Sequence, residues 1–160
     1  MVALFRLFID LCLLRAKPQD LPASPSLLGA TLISYTLTSL ALATAGWVLE
    51  RAILYALVDA LTMALLTHTM LLLRKVPARL TQTLTALAGS GTLLGLAAWP
   101  LVAAQSPLLL SFVMMVWSIA VTANILRHAL SVNLTLGILA SLGYVVVTFV
   151  VMGTLFPAAS

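Results

Sequence analysis

Hydrophobic and polar segments alternate along this chain, and each hydrophobic segment is about as long as a helix. Long apolar runs are separated by short segments that hold most of the prolines and charged residues. A helix needs roughly 20 apolar residues to cross the hydrocarbon core of a bilayer. The pattern therefore predicts an all-α polytopic membrane protein with five transmembrane helices. We expect them at about residues 26–49, 51–75, 78–99, 106–130 and 131–156.

The first 24 residues follow a different pattern. Arg6 and Asp10 fall on one side of a helix, and Phe5, Phe8 and Leu11 lie largely on the other. This amphipathic pattern predicts a helix that lies in the membrane interface. Residues 17–25 contain three prolines and form a stiff segment, here called the elbow. We expect two units: residues 1–24, the interfacial helix and elbow, and residues 25–160, a single five-helix transmembrane domain.

Composition and charge placement narrow the class further. With 62% hydrophobic and 8% charged residues, the chain has too few charges to cover the surface of a soluble domain. Its basic residues concentrate before the first span, between the second and third spans, and after the fourth. Basic loops stay in the cytoplasm, so this distribution predicts a bacterial inner-membrane protein with a cytoplasmic N-terminus and a periplasmic C-terminus. We expect the lipid bilayer as a partner, and no nucleic acid.

The second predicted span combines a row of small residues with a carboxylate. Its leucines gather on one face, where we expect lipid, and alanines recur every fourth residue on the opposite side. Rows of small residues let membrane helices approach closely. The predicted helix-packing residues of this row are Ala52, Ala56, Ala60 and Ala64. Gly91 and Gly95 form a second packing motif, GxxxG, in the third span.

Asp59 is the main candidate for chemistry, because no other carboxylate lies deep inside an apolar run. A charged group at that depth costs ~2.5–3.5 kcal/mol on insertion scales. One interpretation is functional: a protonatable relay, or a contact for an ion or substrate. The other is structural: a hydrogen-bonding group that locks spans one, two and four through Thr or Ser partners. The sequence leaves both open.

Several polar residues fall at similar depth near the predicted cytoplasmic ends of different spans. They could converge on a pocket, or simply meet headgroups and water. His68 lies on the opposite face of its helix from Asp59, so the two cannot form a dyad on that helix. Two histidines on different spans predict no metal site, and we expect no cofactor. The predicted cytoplasmic-side cluster comprises His68, Gln82, Asn124, His128 and Asn133.

A family resemblance adds to this interpretation. The elbow region LCLLRAKPQDLPASPSLL and the fourth-span segment VWSIAVTANILRHAL resemble the compact prokaryotic form of the Yip family of Rab-interacting membrane proteins. The resemblance implies five tightly connected spans and a role in membrane scaffolding. It carries over no catalytic residue. The longer N-terminal region that would contact a GTPase is not matched here.

Two functional hypotheses follow. The first is a non-enzymatic accessory or scaffold protein of the inner membrane, which packs its helices against itself or a larger membrane complex. The second is a small transporter or channel component that uses Asp59. An enzyme would need a second catalytic group near Asp59 or Ser90, and the sequence indicates none. Further polar residues facing Asp59 at mid-depth would favour the transporter.

Overall fold

Each apolar run forms a helix of about the predicted length. The computed structural model describes residues 2–103 and 108–157. Within those residues there are six α-helices, two single-turn 3-10 helices and no strand. Five of the helices, α2 to α6, are long and apolar enough to cross a membrane, which is the architecture of a multi-pass membrane protein. The α-helices are α1 (Val2–Cys12), α2 (Pro25–Ala43), α3 (Leu49–Leu73), α4 (Leu80–Ala103), α5 (Leu108–Ala129) and α6 (Leu134–Leu155).

Local capping explains several helix ends. The hydroxyl of Ser24 accepts a hydrogen bond from the amide of Leu27 at the start of α2, and the side chain of Asn133 caps α6 in the same way. At the end of α5, the guanidinium of Arg79 donates to the carbonyls of His128 and Ala129. A cation at a helix C-terminus also offsets the helix dipole. These contacts stabilise the start of α2, the start of α6 and the end of α5.

Two predicted boundaries are wrong by several residues. The first span ends at Ala43 rather than at residue 49, and α3 begins at Leu49, so Glu50 lies in the first turn of α3 rather than between the two spans. The third span continues through Pro100 to Ala103, because the residues before this proline keep helical geometry and Pro100 costs one backbone hydrogen bond near the helix end. The predicted start of the fourth span at residue 106 lies outside the described residues.

Helix α4 is at the centre of the bundle. It packs against α1, α2, α3 and α5, and its most extensive contact is with α2. Helix α6 packs on α5 and α3. Every residue from 83 to 90 of α4 is buried, whereas those from 91 to 101 are half-buried or exposed. We call the half of the bundle that contains residues 17–25 the elbow half, and the other half, where α2 ends and α3 begins, the far half.

The outward faces are apolar, as a lipid environment requires. The leucine face predicted for α3 is exposed at Leu54, Leu57, Leu61 and Leu65. Trp117 of α5 is also 41% exposed, which places it at the periphery of the bundle. Large apolar side chains thus surround the molecule, as a lipid environment requires.

Candidate functional site: a polar cavity around Asp59

Asp59 lies near the middle of α3, ten residues or ~15 Å after the helix begins at Leu49. Its Oδ2 atom accepts a hydrogen bond from the hydroxyl of Tyr35 at 2.8 Å and another from the hydroxyl of Ser39 at 2.9 Å. Both donors come from α2, one turn apart, so they meet the same carboxylate oxygen. This arrangement ties α2 to α3 at mid-depth.

The other carboxylate oxygen has a different environment. Within residues 2–103 and 108–157, no group donates a hydrogen bond to Oδ1 of Asp59, and no Lys, Arg or His lies within ion-pairing distance. Arg51, on the same helix, contacts other groups in the far half. Its guanidinium stacks on the ring of Trp47 at 3.8 Å and donates to the carbonyl of Pro157. The carboxylate is therefore only half satisfied by the described part of the protein.

Asp59 lines a cavity of about 850 Å³ in the far half of the bundle. At mid-depth the wall includes Ser90 and Thr122, and toward the far end it reaches Trp47, Leu101 and Ser111. Five helices contribute to it, from α2 to α6. A space between several helices, lined mostly by apolar side chains with a few hydroxyls, is a usual form of a small-molecule site in a helical bundle.

Around the carboxylate, the cavity wall consists of aromatic, hydroxyl-bearing and thioether side chains. Three tyrosines contribute to it, namely Tyr35, Tyr55 and Tyr144. Hydroxyl groups continue along α5 at Ser111, Ser118 and Thr122, and sulfur atoms are present at Met63, Met114 and Met115. No described lining residue is basic. The site thus combines one acid with aromatic, hydroxyl and thioether groups.

Tyrosine partners were missed by the sequence interpretation, which expected Thr or Ser donors from spans one and four. Ser39 fits the expectation for span one, but Tyr35 supplies the shorter bond, and α5 lines the cavity without bonding Asp59. A signal was present, because Tyr in membrane helices concentrates at the interfaces and a mid-span Tyr needs a hydrogen-bond partner. Tyr35 and Tyr144 each lie ten residues inside their helices.

The predicted cytoplasmic-side polar residues divide into two groups. Gln82 donates to the carbonyls of Gln19 and Leu21, and Asn124 to that of Ala16. His128 accepts a hydrogen bond from Gln19 through its backbone carbonyl. These three residues therefore satisfy and position the segment that leads into α2, which a buried backbone requires.

The other two members of that predicted cluster lie apart from this contact. His68 is exposed on α3, and Asn133 is the exposed cap of α6. The structure thus brings Gln82, Asn124 and His128 together around the elbow and leaves His68 and Asn133 outside. None of the five lines the Asp59 cavity.

The predicted small-residue faces are occupied within the chain. A Cβ atom on Gly91 would lie 2.8 Å from Cε2 of Tyr35, and one on Gly95 would lie 2.6 Å from Cγ2 of Thr38. Glycine is therefore required where α4 meets α2. In the alanine row of α3, Ala52 and Ala56 are fully buried, whereas Ala60 and Ala64 are half-buried.

The N-terminal helix α1 docks on α4 from the side opposite the cavity. The ring of Phe8 lies directly on Gly89, where a Cβ atom would collide with it. The Cys12 thiol approaches the carbonyl of Ser90 at 3.9 Å. These contacts lie nine to ten residues, or ~14 Å, along α4. Burial raises the pKa of Cys12 from 9.0 to about 11, so this thiol is an inert packing group at neutral pH.

Comparison with known proteins returned no relative. No family model, no curated protein and no solved structure matches the chain. The chemistry of the site itself is therefore the guide to its function.

Proposed function

We propose that this protein is a small transporter or channel component that admits a solute to the cavity beside Asp59. The observation that carries the proposal is the position of this carboxylate, which lines an 850 Å³ cavity and has one oxygen without a donor in the described chain. A purely structural carboxylate would be expected to use its hydrogen-bonding capacity on protein groups. Ionisable residues inside a membrane domain are typical of solute and proton pathways.

The proposal includes the location of the protein. We place it in a bacterial inner membrane with a cytoplasmic N-terminus and a periplasmic C-terminus. Support comes from the basic residues at the elbow end, where Arg15, Lys17, Arg74 and Lys75 are exposed. On this orientation the cavity extends from mid-depth toward the periplasm. The interfacial position of α1 stays a prediction. Its contacts lie ~14 Å along α4 from the start of that helix, so part of α1 has to lie deeper in the membrane than the ends of the spans.

Cysteine labelling tests whether the cavity admits water and solutes. In a Cys12→Ser background, Ser118→Cys places a thiol in the cavity wall, and Val116→Cys places one on the exposed apolar side of the same helix. We expect a hydrophilic maleimide to label the first variant in proteoliposomes and to leave the second unlabelled. Equal protection of the two thiols would contradict the proposal.

A flux measurement tests the role of Asp59 directly. In liposomes loaded with a pH-sensitive dye, we expect the wild-type protein to support proton or ion flux, and Asp59→Asn to abolish it without preventing assembly. Full flux through the Asp59→Asn variant would exclude the relay and leave Asp59 as a structural group.

A second candidate function is the accessory or scaffold role that the sequence also favours. Gly91 and Gly95 are already covered by α2, but α6 leaves an apolar face open around an exposed glycine. No atom of the described residues lies within 4 Å of a Cβ atom built on Gly143, and Leu139, Val146 and Val150 lie beside it on the helix. Purification in mild detergent, with identification of any companion protein, tests this role. The predicted relation to the Yip family stays a prediction.

A further inference from the structure

The chemistry of the cavity defines the class of solute it would hold. An isolated carboxylate in a membrane domain is stable either as the neutral acid or opposite a positive charge. Asp59 has two hydroxyl donors on one oxygen and no cationic partner in the described chain. Any positive charge that stabilises the ionised form would therefore come from outside the protein.

The walls are suited to an organic cation rather than to a bare metal ion. Aromatic rings attract cations over their faces, and Tyr35, Tyr55 and Tyr144 all line the cavity with Asp59. Groups of three or more His, Cys, Asp or Glu that could hold a metal ion are absent from the described residues. Methionine side chains give the remaining wall a soft, adaptable apolar surface.

The size of the cavity points to the same class. Pockets for drug-sized molecules have volumes of roughly 300–1,000 Å³, and this cavity has about 850 Å³. A single carboxylate can neutralise one positive charge, and the apolar wall would accommodate hydrocarbon or aromatic substituents. No described lining residue is basic, so the described wall carries no positive charge to balance that of an anion.

We propose that the cavity binds a monovalent organic cation with apolar substituents, its charge beside Asp59 and its body against the tyrosine and methionine wall. This inference rests on the proposed function, because it requires a cavity that admits solutes. It adds the sign of the charge and the chemical type of the ligand.

A pair of probes of similar shape and opposite charge provides the test. Equilibrium dialysis of the detergent-solubilised protein would compare tetraphenylphosphonium with tetraphenylborate. We expect the wild type to bind the phosphonium ion about tenfold tighter or more than the borate, a difference of about 1.4 kcal/mol. This comparison needs no variant, so a failure of Asp59→Asn to fold would not affect it.

Two substitutions on α3 then locate the charge. Asp59→Asn removes the carboxylate in the cavity, and Glu50→Gln removes an exposed carboxylate of the same helix that does not line it. We expect Asp59→Asn to lose about tenfold or more of the phosphonium affinity and Glu50→Gln to retain it. Asp59→Glu, which keeps the charge, should retain most of the binding.

The possible outcomes distinguish a failure of the cation proposal from a failure of the proposed function. If both probes bind equally and Asp59→Asn changes neither, while the Ser118→Cys thiol is labelled, the cation proposal is overturned and the solute cavity stands. If the Ser118→Cys thiol is as protected as the Val116→Cys thiol and neither probe binds, the proposed function fails as well. Equal binding of phosphonium by the wild type and by Asp59→Asn would also overturn the cation proposal, because it would show adsorption to micelles or binding at another site.

Discussion

The two halves of this bundle contain the same helices but differ in how the space between them is filled. In the elbow half, α4 is buried on all sides from residue 83 to 90, and α5 is buried at 121 and from 123 to 126. In the far half, α5 has no buried residue from 108 to 118, and an 850 Å³ cavity separates it from α2. The elbow half has an extra element, the N-terminal segment, which has no counterpart among the described residues of the far half.

This difference shows what the N-terminal segment does for the fold. Buried side chains such as Leu11 and Leu21 enter the bundle from it, and Gln82 and Asn124 bind its backbone carbonyls. The segment thus fills the space between the helices of the elbow half with buried side chains. The N-terminal segment does not reach the far half, and there the five helices leave the cavity between them.

The largest effect is expected from removing a core leucine of the elbow half. Leu21→Ala should lower the free energy of unfolding by about 2–5 kcal/mol, because the packed surroundings cannot collapse into the space. Leu94→Ala removes the same atoms from a side chain that already lines the cavity, and should cost about 1 kcal/mol. Reversible denaturation in mixed micelles measures the free energy of unfolding of both variants. Equal costs would contradict the difference in packing.

A small-to-large pair on one helix tests the same contrast in the opposite direction. Ala88 is fully buried in the elbow half, and Ala98 lines the cavity ten residues later on α4. Ala88→Leu should destabilise the protein by about 1–3 kcal/mol through overpacking. Ala98→Leu should leave the unfolding free energy nearly unchanged but weaken tetraphenylphosphonium binding. If Ala98→Leu were the more destabilising variant, the far half would be packed rather than open.

A smaller loss is expected from the polar contacts of the elbow. Gln82→Met keeps the length of the side chain but removes its donation to the carbonyls of Gln19 and Leu21. Hydrogen bonds of this kind in membrane proteins contribute about 0.6 to 1.7 kcal/mol, so the same denaturation assay should show a cost in that range. The control is Thr92→Val, whose hydroxyl bonds only within α4 and should cost less.

The smallest effect concerns a reaction rate and leaves the fold intact. The thiolate is the reactive form of cysteine, and burial raises the pKa of Cys12 from 9.0 to about 11. Maleimide should therefore modify Cys12 roughly a hundredfold more slowly at neutral pH than an exposed cysteine. The rate should still rise with pH between 9.0 and 11, because the thiolate fraction increases as the pH approaches the raised pKa.

The denatured protein provides the control for this rate. In sodium dodecyl sulfate the thiol should recover the reactivity of a free cysteine, and the pH profile should shift down. A fast reaction of native Cys12 at neutral pH would mean that α1 does not dock on α4.

The number of spans and their approximate bounds could be predicted from the sequence. In lipid every backbone group must be satisfied inside its own segment, so each crossing needs an apolar run of helix length, and such runs are visible without a structure. The inward position of the alanine row and the outward position of the leucine face of α3 follow from helical periodicity alone. The boundary at Ala43 was missed because residues 44–48 contain no charged residue and no proline to mark the end of a helix.

The tertiary structure alone decided which side chains meet. Asp59 could be identified as unusual by its depth, but its pairing with Tyr35 depends on the rotation of α2 against α3, which no local pattern encodes. The cavity likewise follows from the arrangement of five helices and from the reach of the N-terminal segment. Local hydrophobicity determined which segments are long and apolar enough to cross a membrane, and packing between distant segments determined where the cavity lies.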